Sequence, residues 1–94
     1  MNKTIEPGGQ GFRYSYFMRV KVLLFGQLKD IVGKQEESLD LESGAPLSAV
    51  MDYYSVRYPK FQGLTKSIAC SINQEYAQGS SPLKEGDEVG LLPR

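Results

Sequence analysis

Residues 19–25 fall into two alternating sets, with Val20, Val22 and Leu24 in one and Lys21, Leu23 and Phe25 in the other. Successive side chains of a strand point to opposite faces, so this run predicts a strand with one wholly apolar face and a second face that also carries Leu23 and Phe25. Residues 26–32 predict a short helical turn with Leu28, Ile31 and Val32 inward, closed by Gly33 as C-cap. Alternation returns over residues 36–41 with Leu39 and Leu41 inward, and this strand should pair back on the first. The turn Ser43-Gly44-Ala45-Pro46 leads into the main helix, expected over residues 46–58 with Pro46 at its first position. Leu47, Val50, Met51, Tyr54 and Tyr58 recur at helical spacing as one apolar stripe, and Pro59 ends the helix. Residues 67–73 read as a strand with Ile68, Cys70 and Ile72 on one face, and Tyr76-Ala77 as a short further strand. The last strand spans residues 88–92, opened by the polar turn at Gly86-Asp87 and stopped by Pro93.

The order strand, turn, strand, helix, strand, short strand, strand predicts an α+β domain. One amphipathic helix must cover one face of a mixed sheet of four to five strands, because neither buries its apolar side alone. That arrangement is the β-grasp, or ubiquitin-like, architecture. The other sheet face has no second helix to cover it. Val89 and Leu91 should point to the core, which turns Glu88 and Leu92 outward. With the first and last strands as neighbours, Leu23, Phe25 and Leu92 form an exposed apolar patch, and such a patch marks a protein interface. Residues 1–17 are polar and glycine-containing, and read as a flexible N-terminal extension or a cloning remnant. The alternating aromatics Phe12, Tyr14, Tyr16 and Phe17 leave a strand extension open there. Residues 18–94 are the domain.

A length of 94 residues allows one domain with a modest core. The absence of histidine and the single cysteine exclude histidine triads, histidine or multi-cysteine metal sites and internal disulfides. Lysine plus arginine and aspartate plus glutamate balance at 11 each, which argues against nucleic acid as the partner. No apolar run reaches membrane-spanning length, and no signal-peptide core opens the chain, so a cytoplasmic setting is expected. Cys70 alternates with Ile68 and Ile72 and reads as a buried structural thiol. Glu36, Glu37, Asp40 and Glu42 read as a solvated edge, and Asp87 and Glu88 as the opening of a strand rather than a catalytic pair. Gly8-Gly9 is a diglycine, but internal and far from the C-terminus. Catalytic chemistry is thus nearly absent, and function should lie in where the C-terminus points.

Two segments resemble the small, sulfur-carrying subunit of molybdopterin synthase. One is Val20-Lys21-Val22-Leu23-Leu24-Phe25-Gly26-Gln27-Leu28-Lys29-Asp30-Ile31-Val32-Gly33, similar to that family's opening strand with its aromatic end and a short helix closing on Val-Gly. The other joins Ile72-Asn73-Gln74-Glu75-Tyr76 to Pro82-Leu83-Lys84-Glu85-Gly86-Asp87-Glu88-Val89 and the apolar pair before Pro93. The resemblance spans residues 19–93. It implies a carrier, a small subunit and co-substrate rather than a self-contained enzyme, with active-site residues on the large subunit. No cofactor would be bound. An adenylating enzyme of the ubiquitin-activating kind would use ATP to convert a C-terminal glycine carboxylate to an acyl-adenylate, and sulfur would displace the adenylate to leave a thiocarboxylate. The tail would then enter the large subunit, in a heterotetramer, and pass its sulfur to a cyclic pterin precursor of the molybdenum cofactor. Neither nucleic acid nor membrane is implied as a partner.

The family's partner-facing surface maps onto Phe25, Tyr76 and Leu92, two of which alternation already turns outward, with Leu23 beside them. Pro93 and Arg94 form the tail base. The sequence departs from the family at its end: it stops at Arg94, where the family continues to Gly-Gly, so no residue here is assigned the sulfur. A tail omitted or cut after Arg94 is the expectation. Two alternatives stay open: a ubiquitin-like interaction module without activation chemistry, and a carrier of the thiamine pathway.

Overall fold

The computed structural model describes residues 17–94. Phe12, Tyr14 and Tyr16, and with them the proposed extension up to residue 16, lie outside those residues. The first strand, β1 (Phe17–Leu24), starts two positions before the expected span, because Phe17 and Met18 still find partners in Glu42 and Leu41 of the neighbouring strand. Phe17 therefore belongs to the domain. The strand also stops one residue early, since Gly26 takes φ +57° and turns the chain out of the sheet after Phe25. Met18, Val20, Val22 and Leu24 all face the core, as the alternation requires.

A short helix α1 (Gln27–Val32) follows and ends on Gly33, whose φ of +84° is the left-handed cap expected there. Strand β2 (Glu36–Glu42) runs back antiparallel to β1. Helix α2 (Ser48–Arg57) begins two residues later than the proline suggested. Pro46 instead bridges to Pro82, and the loop carbonyls of Ser81 and Gly79 accept from the amides of Leu47 and Ser48 at 2.8 and 2.9 Å. Those carbonyls satisfy two of the donors that every helix start leaves open, in place of a side-chain cap.

Pro59 ends α2 as expected, with Tyr58 forced into extended conformation before it. The same proline starts a further helix, α3 (Pro59–Gln62), which the sequence pattern did not reveal. Phe61 anchors α3: it is fully buried, with its ring centroid 5.3 Å from that of Tyr54. A 3-10 turn (Thr65–Ser67) leads into β3 (Ile68–Ile72), then come β4 (Glu75–Ala77) and β5 (Glu88–Pro93).

The five strands form one mixed sheet in the order β2-β1-β5-β3-β4, with the central pair β1 and β5 parallel and every other pair antiparallel. Parallel neighbours cannot be joined by a hairpin, so the chain between them crosses over one face, and α2 and α3 travel in that crossover. Leu47, Val50, Tyr54 and Phe61 close the core against Val20, Val22, Leu24, Val89 and Leu91, all essentially sealed from solvent. Each such side chain contributes about 1.5–3 kcal/mol on burial. The architecture is the α+β, ubiquitin-like β-grasp inferred from element order. Among the described residues no helix is long and apolar enough to cross a membrane.

Candidate docking face and tail base

The parallel register aligns Leu23 with Gly90 and Leu24 with Leu91, so the C-terminal ends of β1 and β5 lie side by side. On the outer face of the sheet this brings Leu23, Phe25 and Leu92 together. Tyr76 joins them through the ladder, paired with Ser71 of β3, which is itself paired with Gly90. The four residues that sequence reading assigned to a partner surface thus line one shallow groove of about 330 Å³. Phe25 is 41% exposed and Tyr76 83%, while Leu23 and Leu92 are half-buried. Among the described residues, none from a helix lines the groove.

The floor is Gly90, which the alternation argument passed over because it has no side chain to assign. A Cβ built there would lie 2.6 Å from Ser71 Oγ and 3.7 Å from both Phe25 and Leu92. A glycine inside an apolar strand signals close approach, and that signal was present in the sequence. The groove's other end is polar, made by Ser71, Gln74 and Glu88.

A network of hydrogen bonds places that polar end. Asn73 and Gln74, with φ of 53° and 73°, form the two-residue turn between β3 and β4, and positive φ at both positions matches the twist of a hairpin. Asn tolerates this conformation well, whereas Gln is held in it against its preference. The Asn73 Nδ2 donates to Asp87 at 3.0 Å, and its Oδ1 accepts from the Glu88 amide at 3.0 Å. The Lys84 amide donates to the other Asp87 oxygen at 2.8 Å. Asp87 is buried and holds the turn together, which gives it the structural role expected of it.

At the tail base, Pro93 pairs with Ile68 as the last residue of β5. A Cβ on Gly26 would come within 2.9 Å of Pro93 Cγ, so glycine permits both the turn and the contact. The Arg94 amide donates to the Ser67 carbonyl at 2.7 Å and extends the sheet one residue further. The end of the chain is thus held in a fixed direction beside Phe25 and Leu92.

Other candidates resolve into structure. Cys70 is half-buried with its Sγ 3.9 Å from Met51 Sδ, and burial pushes its thiol above the ordinary range, which disfavours the reactive thiolate. Along the β2 edge Asp40 pairs with Arg19 at 3.0 Å and Glu36 with Lys21 at 3.8 Å, exposed contacts of little energetic weight. Glu37 differs: it accepts from Tyr54 Oη at 2.8 Å and from Lys34 Nζ at 3.1 Å, tying β2 to α2. A larger open hollow of about 890 Å³ between α1 and α3 shares no residue with the face described above. Among the described residues no group of three or more histidine, cysteine, aspartate or glutamate side chains converges as a metal site.

The sequence model of the ThiS family matches residues 22–94. The molybdopterin synthase sulfur carrier subunit of Chlamydomonas reinhardtii is 31% identical over 78 residues, covering 81% of this chain and 94% of that protein. The molybdopterin converting factor subunit 1 of Pyrococcus furiosus superposes with a TM-score of 0.74 at 26% identity, covering 81% of this chain and 97% of that one. A chain from the complex of subunits 1 and 2 of the molybdopterin-converting factor from Helicobacter pylori gives a TM-score of 0.57 at 24% identity, over 82% of this chain and 95% of that one, a likeness of fold.

Proposed function

The chain belongs to the ThiS family, and from that premise we propose that it acts as the sulfur carrier subunit of a molybdopterin synthase, as its similarity to curated proteins of that name supports. The observation that carries the reading is geometric. Parallel pairing of β1 and β5 puts the open groove and the C-terminal segment at the same end of the sheet. A partner that grips the groove therefore receives whatever the terminus bears. The Helicobacter chain of like fold comes from a complex of subunits 1 and 2, and we assign a second subunit of that kind, the large synthase subunit, to this groove.

Chemistry would proceed at a glycine carboxylate beyond Arg94. A resting carboxylate is a poor acyl donor, so an adenylating enzyme would first make the acyl-adenylate from ATP, and sulfur would then displace the adenylate to give the thiocarboxylate. Diglycine suits a narrow channel, because glycine lacks a Cβ and accepts any backbone angle there. Five or six extended residues reach about 20 Å, enough to enter a neighbouring subunit. The reacting group would be that terminal carboxylate and then its thiocarboxylate sulfur; we assign no side chain among the described residues an acid or base role, and the domain docks and aims. We place this work in the cytoplasm and assign no bound cofactor to the chain.

The experiment has two arms. Phe25→Glu should abolish binding to the large subunit while urea unfolding changes little, because the ring is 41% exposed. With activating enzyme, ATP and a sulfur donor, the chain extended by its family's Gly-Gly should gain the mass of an oxygen-to-sulfur exchange, and the 94-residue form should not. Normal binding by Phe25→Glu, or a thiocarboxylate on the 94-residue form, would defeat the reading. Supplying the cyclic pterin and the thiamine-pathway acceptor separately distinguishes this carrier from its thiamine counterpart.

A further inference from the structure

We propose that the groove receives an arginine side chain of the docking partner, with Glu88 as its counter-charge; this deepens the docking reading above and rests on it. The groove has an apolar end at Leu23, Phe25 and Leu92, and a polar end where, among the described residues, Glu88 is the sole charged group. Glu88 is half-buried, and its backbone is pinned on both sides by Asn73, whose side chain accepts from its amide at 3.0 Å and whose amide donates to its carbonyl at 2.7 Å. The Glu88 side chain therefore springs from a fixed place on the groove wall.

Cations on this face are turned away from it. Lys21 is the register partner of Glu88 in β1, yet its Nζ lies 3.8 Å from Glu36 on the opposite side. Arg19 pairs with Asp40 at 3.0 Å. Among the described residues Glu88 makes no ion pair. In the free protein water solvates the carboxylate. A partner that covers the groove removes that water, and a covered carboxylate without a cation is strongly unfavourable. A wholly apolar knob would fit Leu23, Phe25 and Leu92 but would strand Glu88. The occupant must combine an aliphatic stem with a cationic head, which describes arginine and lysine.

The lining favours the guanidinium. Tyr76, paired with Ser71 at the polar end, presents an exposed ring on which a planar cation stacks. The Gln74 amide and Ser71 hydroxyl offer acceptors beside the carboxylate for the remaining N–H groups, a set that a forked donor uses and a point-like ammonium does not. The missing Cβ at Gly90 lets Ser71 Oγ, Phe25 and Leu92 draw close over the groove floor. The chain already contains one such pairing, with the Arg57 guanidinium 3.7 Å above the Tyr53 ring.

The test separates this inference from the docking reading. The isotope-labelled protein is titrated with N-acetyl-arginine methylamide, and in parallel with the lysine and norleucine analogues. The expected result is saturable shifts of the Gln74, Tyr76, Gly90 and Leu92 amides with arginine, weaker ones with lysine and none with norleucine, all lost in Glu88→Gln. Norleucine matching arginine, or Glu88→Gln responding like the parent, overturns the proposal. Binding of the molybdopterin synthase large subunit is then measured. Glu88→Gln should raise Kd about 30-fold or more and flatten the salt dependence. An unchanged Kd for Glu88→Gln overturns the arginine inference and leaves docking intact. A parent protein that titrates with arginine but ignores the large subunit supports the pocket and removes the docking partner.

Discussion

Replacing Gly90 separates the shape of the groove from its apolar character. Its φ is not among the positive values of this chain, so alanine suits the backbone. The new Cβ would meet Ser71 Oγ at 2.6 Å, a clash that Ser71 relieves by rotating its hydroxyl, and Phe25 and Leu92 at 3.7 Å, which is ordinary contact. An unfavourable rotamer costs about 0.5–1.5 kcal/mol. Loss of glycine freedom in the unfolded chain returns about 0.4–1 kcal/mol. The two nearly cancel, so Gly90→Ala should unfold within about 1 kcal/mol of the parent. Binding is different, because the methyl raises the groove floor and displaces Ser71 Oγ, one of the groups that line it. Overpacking of about 1–3 kcal/mol corresponds to a Kd raised about 5- to 150-fold. Gly90→Val, with two more carbons, should weaken it further. Urea unfolding and calorimetric titration with the large subunit measure both quantities. The apolar area of the face rises in these variants, so unchanged or tighter binding would refute the groove and leave a plain greasy surface in its place.

Other perturbations test the scaffold. Tyr54→Phe deletes the 2.8 Å hydrogen bond to Glu37 and should cost about 1–2 kcal/mol near neutrality by chemical denaturation. Burial first, and that bond second, hold the Tyr54 phenol above its usual range, so its contribution is intact below about pH 10 and lost as pH climbs beyond; the variant's alkaline limb should be shallower by up to one proton. Cys70→Ala should likewise flatten the stability profile above about pH 8.5, because burial raises the thiol's pKa and the native state resists its ionisation. Asp87→Ala leaves the Lys84 amide and the Asn73 side chain without their acceptor and should cost about 2–4 kcal/mol, with amide exchange accelerating first at the turn of Asn73 and Gln74. A melt identical to the parent's would show that the turn is held by its backbone alone.

The inner face of the sheet was legible in the sequence because burial leaves a periodic trace. Val20, Val22 and Leu24 announce β1, and Leu47, Val50 and Tyr54 announce α2, with no knowledge of what they touch. Phe61 left no such trace: α3 spans four residues, about one turn, and a single turn has no period to detect. Pro59 was readable as a stop, but its second role as a helix start depends on Phe61 reaching Tyr54 across the core, a contact that no local pattern encodes. The start of α2 lies beyond Pro46 for a related reason. Pro46 is chemically suited to open a helix, yet the carbonyls that satisfy the first amides come from Gly79 and Ser81, more than thirty residues away.

The outer face followed a different logic. Leu23, Phe25 and Leu92 were found by exclusion, as apolar side chains left over once each strand had turned its other side inward. Exclusion identifies which groups are exposed but not the form they make. That form comes from Gly90 and from the Asn73 network, and neither has a periodic signature: one is the lack of a side chain, the other a pairing of a hairpin turn with the start of a strand fifteen residues later. Tyr76 illustrates the consequence. Its own strand is three residues long and would be marginal alone, but the turn clamped by Asp87 holds it in register with Ser71 and so brings it to the groove. The same clamp fixes where β5 begins, and parallel pairing with β1 then fixes where β5 ends. Groove wall and tail base are therefore set by one register. A slip of one residue in β5 would turn Leu92 inward, bury Glu88 and move the exit of the chain to the other face of the sheet, so docking and tail delivery would fail together.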